Sequence, residues 1–489
     1  MSDMQTLATR GHSEFDVVIG LEVHIQLNTE TKLFCSCKNA FGALPNHHSC
    51  PVCLGQPGVL PVLNSGVVDR AVAMSLAIGA KVQEMSVFAR KQYFYPDLPK
   101  GYQITQFDLP YSVGGEVVLD SGRRIEVERI HIEEDAGKSV HGSRESYVDL
   151  NRAGTPLLEM VSKPQIETPR EASEYLKKVR SIVRYLGIGD GNLQEGSFRC
   201  DANISLKPAG QKELGTRTEI KNVNSFRNVE RALSYEILRQ TEILRSGEKV
   251  LQETLRFDAE SGKTRSNRSK EMTADYRYFP DPDLGPLYID PKRVEKIAAH
   301  LPQLASMVVT RYLDEYGLTR EDALVLTEEK EVSDFFDQVV SGLKGVTPKI
   351  AANFVITSFL REVRDGVIDL CKPKVTASHI AELLNLVGES VISGKIAKTV
   401  FSEMLATGQS PSLIVKEKGL AQVSDTGEIE AVLEEILRDN PSQLAAYLGG
   451  KEKILGFFVG QVMKRSKGTY NPQMVNKILK EKLSEKRRS

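Results

Sequence analysis

His131-Ile132-Glu133-Glu134-Asp135-Ala136-Gly137-Lys138-Ser139 sets three consecutive carboxylates before a small Ala-Gly turn, a lysine and a hydroxyl. In an extended chain successive side chains point to opposite faces, so His131 and Glu133 share one side while Ile130 and Ile132 share the other. Carboxylates gathered on the inner face of a sheet repel one another and lose hydration, and they persist where cations occupy the site. A solvated acidic turn is the competing reading of an isolated Glu-Glu-Asp. It loses ground here because other stretches place acids on strand faces in the same way.

Phe15 to Leu27 alternates, with Val17, Ile19, Leu21, Val23, Ile25 and Leu27 on one face and Gly20, Glu22, His24 and Gln26 on the other. Phe198 to Leu206 repeats the pattern and lines up Arg199, Asp201, Asn203 and Ser205. Arg217, Glu219 and Lys221 fall together in the next apolar-polar run, and Glu159 is the only charge in Leu157–Val161. A lone acid in an apolar run is either paired or a ligand. These polar strand faces come from distant parts of one block of about 280 residues and together predict a concave sheet lined with acids, metal ions and arginines. That combination suits nucleotide phosphates held by Mg²⁺. There is no G-x-x-x-x-G-K-[ST] loop, and Gly187-Ile188-Gly189-Asp190-Gly191 is too short for a dinucleotide fingerprint, which needs its third glycine where Asn192 stands. Any ATP site belongs to the sheet.

Between these strands lie helical segments and polar loops. Leu60 to Ala80 predicts a helix. Thr168-Pro169-Arg170-Glu171 is a capping box that opens a helix closed by Gly187, and Phe226 to Arg245 predicts a third. Phe88 to Gln103 is dense in Arg90, Lys91, Lys100 and aromatic rings, with prolines that bar regular helix. Such a loop binds phosphates and stacks a base, or it is an aromatic-packed structural loop. Arg265 to Asp283 is a second loop of this kind. Beyond Pro291 the chain turns helical, with helices expected over Asp314–Val340, Ile350–Val367 and Ile396–Leu405.

Composition narrows the classes further. With 489 residues, 26% charged and 40% hydrophobic, the chain reads as an ordinary folded protein of about two to four domains. A net charge of −1 argues against nucleic acid coating the whole surface but not against a local basic patch. From Val462 onward there are nine Lys and Arg against two Glu, so Lys464, Arg465 and Lys467 mark either a phosphate-backbone contact or a solvated tail. No apolar run of signal-peptide length opens the chain and none approaches a membrane span of about 18 residues, which leads to a cytoplasmic expectation with no membrane partner. Four of the six cysteines, Cys35, Cys37, Cys50 and Cys53, lie within 19 residues. Paired cysteines on two short loops offer four thiolates to a structural Zn²⁺, with His47 and His48 as substitutes.

These stretches resemble a family. Ile19-Gly20-Leu21-Glu22-Val23-His24, the Arg90–Asp97 loop, His131–Lys138, Arg199–Asn203, Glu219–Asn222, Asp275–Pro280 and Lys467–Pro472 are similar, in order, to the B-subunit (GatB) family of aspartyl/glutamyl-tRNA(Asn/Gln) amidotransferases. The resemblance implies an α+β cradle of mainly antiparallel sheet, similar to glutamine synthetase, over 15–295, after an extension at 1–14. A helical domain would follow over 296–412 and a small YqeY-like, tRNA-contacting helical tail over 413–489. It implies an ATP-dependent ligase that works in a heterotrimer, with an amidase and a small third protein as the other two members, on Glu-tRNA(Gln) and/or Asp-tRNA(Asn). In that reading Glu22, His24, Glu134, Glu159 and Glu219 form the Mg²⁺ site, with Glu133 a less firmly assigned neighbour. Glu134, Glu22, His24 and Lys138 are catalytic, and Arg90, Lys91, Lys100, Arg199 and Lys221 hold ATP. Lys464, Arg465 and Lys467 contact tRNA, and the zinc is structural. The alternative is a non-catalytic tRNA-docking adaptor of the same complex.

Overall fold

The alternation from Val17 onward becomes the long strand β1 (Phe15–Gln26), which runs through the middle of a ten-stranded sheet. The computed structural model describes residues 14–489 except 143, 267–275, 371, 422–425, 467–469, 471 and 489. On one side β1 pairs with β3 (Pro156–Ser162), which pairs with β2 (Arg124–Glu134). On the other it pairs with β4 (Phe198–Pro208), followed by β5 (Thr218–Val223). β6 (Thr254–Asp258) joins β5 in parallel and β7 (Lys263–Ser266) closes that edge. All other pairings in the sheet are antiparallel, including those of the short strands beyond β2.

One face of this sheet is apolar. Ile19, Leu21, Val23 and Ile25 of β1, Ile130 and Ile132 of β2, Leu158 and Met160 of β3, and Ala202 and Ile204 of β4 are buried in one core. Three helices supply its other half: α1 (Ser65–Ala77), α2 (Pro169–Leu186) and α3 (Phe226–Arg245). Removing each such side chain from water contributes about 1.5–3 kcal/mol, which is what pins the register of the strands. A one-residue slip would carry the acids into the core.

The helix ends follow local chemistry. Thr168 accepts a hydrogen bond from the Glu171 amide at 3.1 Å, Pro169 opens α2, and Gly187 ends it in the left-handed region at φ 67°. α1 is shorter than the Leu60–Ala80 expectation. Asn64 caps it by accepting from Gly66 N at 2.9 Å, and the residues before it run extended across Phe34, whose carbonyl takes the Val62 amide.

The chain parts into two compact units, the first ending at Ala305. The second, from Ser306, is helical among its described residues. The expected helix from Asp314 is broken into Arg320–Thr327 and Lys330–Ser341, each with its own N-terminus. The segment from Pro348 to Arg364 contains a wide π turn at Val355–Phe359, and Phe359 stacks on Phe335 at 4.1 Å. The last helices share a separate core of Ile429, Leu433, Phe458, Val462, Val475, Leu479 and Leu483. Among the described residues no helix is long and apolar enough to cross a membrane.

Because Thr168 satisfies one of the open amides of α2, Thr168→Ala should lower the stability of the sheet-bearing unit by about 1 kcal/mol. Thr168→Ser should leave it nearly unchanged. The denaturant midpoint of that unit's unfolding transition measures both.

Candidate functional site

The face of the sheet opposite the helices carries the acids, and strand register explains how they meet. His24 lies opposite Glu159 of β3, and Glu159 lies opposite His131 of β2. One row therefore crosses three strands, and Glu133 joins it two residues beyond His131. His24 Nε2 stands 3.4 Å from Glu159 and 3.8 Å from Glu133. His131 Nε2 stands 3.3 Å and 3.7 Å from the same two carboxylates. On the other side of β1, Glu22 lies opposite Asp201 of β4, and Asn203 lies opposite Glu219 of β5. Asn203 donates to Glu22 at 2.8 Å.

Two donor sets result: His24, Glu133 and Glu159, and Glu22, Asp201 and Glu219, each with one ligand atom per residue within 4.8 Å of the others. The second is all carboxylate and suits a hard divalent cation such as Mg²⁺. The first includes an imidazole and also suits softer divalent ions. The residues present fit metal on electrostatic grounds too. Burial, then Glu159, holds the Glu22 carboxyl above its usual range, the mark of acids crowded without enough positive charge. Burial alone would push His131 down, but Glu159 and Glu133 outweigh it and hold it up at about 9. Glu159 in turn lies well below the usual carboxylate range, because the two imidazoles outweigh its burial.

Cations border the clusters. Lys221 stands 3.3 Å from Glu219 and 3.6 Å from Asp201. Lys91 is half-buried over the Tyr276 ring at 5.0 Å, and Glu133 raises its pKa against the effect of burial. Arg199 donates to Asp135 at 2.9 Å, and Asp135 also accepts from Gln26 at 2.9 Å.

Other expected residues lie elsewhere. Glu134, one position past Glu133, turns to the opposite side, where it accepts from Lys100 Nζ and from Ile104 N at 2.9 Å. The strand period separates it from the metal set that it was expected to join, and Glu133 stands there instead. Lys100 is thereby committed to Glu134. Arg90, expected on the nucleotide, is held by Asp281 and Asp283, each at 2.8 Å, beneath the Tyr102 ring at 4.2 Å. It fastens the segment after Phe279 to the strand Ala89–Gln92. Lys138 is exposed where the hairpin Lys138–Asp149 begins, outside both sets. Asp201, His131 and Asp135 belong to the site without having been singled out for it. The parity of each strand was the available signal for the first two.

Cys35, Cys37, Cys50 and Cys53 converge, with one sulfur from each within 4.8 Å of the others. The Cys50 amide donates to Cys53 Sγ at 3.1 Å, which orients the thiolate. The hydrogen bond from Cys35 draws Cys53 down to about 5, while the same contact and burial push Cys35 up. Four sulfurs that share one proton network fit a tetrahedral zinc ion. In the second unit Lys464 is exposed on the helix Leu455–Arg465, and Arg465 pairs with Glu435 and Asp439. Lys467 and Asp275 lie outside the described residues.

The sequence is similar to known proteins along nearly its whole length. Residues 17–295 match the family model described as the GatB/GatE catalytic domain, and residues 334–483 match that of the GatB domain. The B subunit of the aspartyl/glutamyl-tRNA(Asn/Gln) amidotransferase of Desulfotalea psychrophila is 52% identical over 476 residues, covering 96% of this chain and 100% of that protein. The protein of the same name from Pelodictyon phaeoclathratiforme is 53% identical over 474 residues, covering 96% and 99%. That from Persephonella marina is 51% identical over 473 residues, covering 96% and 100%.

The raised His131 gives a pH dependence whose sign is fixed. A folded pKa of about 9 against an ordinary 6.5 means stability fully present below pH 6.5 and lost as pH rises through 9. In chelator, the melting temperature of the wild-type chain should therefore fall across that window. His131→Gln should flatten the fall, which thermal melts at stepped pH will measure.

Proposed function

The chain belongs to the GatB family, the B subunits of aspartyl/glutamyl-tRNA(Asn/Gln) amidotransferases, and from that membership we propose that it binds Glu-tRNA(Gln) and/or Asp-tRNA(Asn) and activates the side-chain carboxyl with ATP. The carboxylate oxygen attacks the γ-phosphorus of ATP, the bond to the bridging oxygen breaks, and ADP leaves. Ammonia then attacks the acyl carbon of the phosphorylated side chain, phosphate departs, and the nitrogen sheds a proton to leave the amide. A partner amidase supplies the ammonia from glutamine, and a small third protein completes the heterotrimer in the cytoplasm.

The observation that supports this reading is the pair of acidic sets on one sheet face, with β1 contributing Glu22 to one and His24 to the other. Both reactants are anions. Mg²⁺ bound by these carboxylates supplies the charge that lets the two anions approach and offsets charge on the phosphates. The chain's own cations act beside it. In this reading Lys91, over the Tyr276 ring, and Arg199, held by Asp135, donate to phosphate oxygens. Lys221 balances Asp201 and Glu219. The zinc of the cysteine knuckle is structural in this scheme.

Glu133→Gln keeps the side chain's shape and removes a ligand charge. It should lower tRNA-dependent ATP cleavage by ~10²-fold or more, about 2.7 kcal/mol in barrier. The readout is the phosphorylated Glu-tRNA or Asp-tRNA trapped without a nitrogen donor. Glu134→Gln instead strands the buried Lys100 ammonium and should cost folded stability on the order of 3 kcal/mol. If the Glu133→Gln complex forms the intermediate at the wild-type rate, the sheet face is not the kinase site and the chain is a docking adaptor.

The basic end is tested by charge removal, because cutting the chain at Gly456 would strip Phe458, Val462 and Leu479 from the terminal core. Lys464→Ala with Arg465→Ala should weaken tRNA binding and reduce its log-log salt slope by about 1–2. Filter binding across a salt series measures both.

A further inference from the structure

Lys32 is the only lysine among the described residues that is fully buried, at 0% exposure. Its ammonium reaches His48 O at 2.5 Å, Leu150 O at 3.4 Å and Cys53 Sγ at 3.9 Å. Among the described residues no carboxylate oxygen lies within 4.0 Å of it. An ammonium taken out of water without a counter-charge costs several kcal/mol, and two carbonyl dipoles only partly offset that. Across Gly154 the Glu134 carboxylate lies 3.8 Å from where a Cβ would stand, but it already accepts from Lys100 and Ile104 N, and the nearer partner of the ammonium is the cysteine cluster. Four thiolates around a divalent ion carry a net charge of about −2, half-buried and equally in need of compensation.

We propose that Lys32 is the counter-cation of the cysteine cluster and holds it in the metal-thiolate form, tying the knuckle to the segment at Leu150–Thr155. The proposal rests on the reading of the four cysteines as a zinc site. Lys32 faces Cys53 Sγ at 3.9 Å, and a metal-thiolate cluster gives the buried ammonium a larger counter-charge than a single sulfur does. The mechanical tie follows from the same contacts. The Lys32 amide donates to Cys37 O, and the next amide, Leu33 N, donates to Gly154 O at 2.9 Å. Gly154, at φ 84°, leaves room for Cys53 and the Lys32 stem, 3.5 Å and 3.6 Å from where its Cβ would stand. Its own amide donates to Asp135 O at 2.9 Å. Asp135 is the residue that orients Arg199 on the acidic face. Lys32 is thus a positioning residue at the junction of the knuckle and the strand turn.

The test uses the full chain and Zn²⁺ itself. Competition against a chromophoric chelator should show that Lys32→Met lowers zinc affinity by at least ~10-fold. Cobalt-substituted Lys32→Met protein should keep the tetrahedral thiolate spectrum, since all four ligands remain. Lys32→Gln separates charge from hydrogen bonding, because it retains donors for the His48 and Leu150 carbonyls. It should lose affinity as Lys32→Met does. Wild-type affinity in Lys32→Met, or full rescue by Gln, would overturn the counter-cation role. Hydrogen exchange on the wild type serves even if the variants fail to fold. Removing zinc should raise exchange at 149–155 together with 46–55, and a change confined to 46–55 would overturn the tie. Absence of tightly bound zinc from untreated wild-type protein would instead overturn the zinc reading on which the proposal stands.

Discussion

Mutual repulsion of acids on one sheet face is the constraint from which the rest of this structure follows. Glu133, Glu159, Glu22, Asp201 and Glu219 project from neighbouring strands into one region. Like charges in such proximity disfavour their own ionised state and oppose folding unless cations stand among them. The chain supplies part of that compensation with His24, His131 and Lys221. In the function proposed above, divalent ions and substrate would supply the remainder, so that an arrangement unfavourable for stability would favour binding of polyphosphate.

Holding that arrangement requires a rigid backing. The same strands that expose acids on one face bury Ile, Leu and Val on the other against α1, α2 and α3. Register is then over-determined, since any slip would bury the acids and expose the core. Charged pairs at the edge of the face finish the positioning. Asp135 gathers Arg199 and Gln26, while Arg90 with Asp281 and Asp283 fastens the distant segment after Phe279 to the sheet. Lys100 and Glu134 do similar work on the opposite side of β2.

The cysteine knuckle makes the same electrostatic argument on a smaller scale. Four converging sulfurs, of which Cys53 is buried, face one buried ammonium, and in the role proposed for Lys32 each offsets the charge of the other. The knuckle packs on Gly154, whose amide holds the Asp135 carbonyl, so a structural site and the acidic face share one turn. The terminal helices stand apart energetically, with their own core from Ile429 to Leu483.

By itself the sequence determined the strands, their faces and the fold class. A period of two in β1 and β4 and the capping box of α2 are local signals, carried by residues a few positions apart. The cysteine spacing and the family were legible for the same reason. The grouping of the acids was legible only in part: Glu22, His24, Glu159 and Glu219 were expected together, and the structure divides them between two clusters. Parity placed Glu133 with His131, yet the similarity of two adjacent glutamates drew the expectation to Glu134, and only the pairing of β2 with β3 against His24 resolved it. Asp201 acquires its meaning from lying opposite Glu22, and Arg90 and Lys100 lose theirs as free cations by meeting Asp281 and Glu134. Such partners are far apart in the chain. Charge compensation is a property of what lies within a few ångströms in space, and strand order alone decides that.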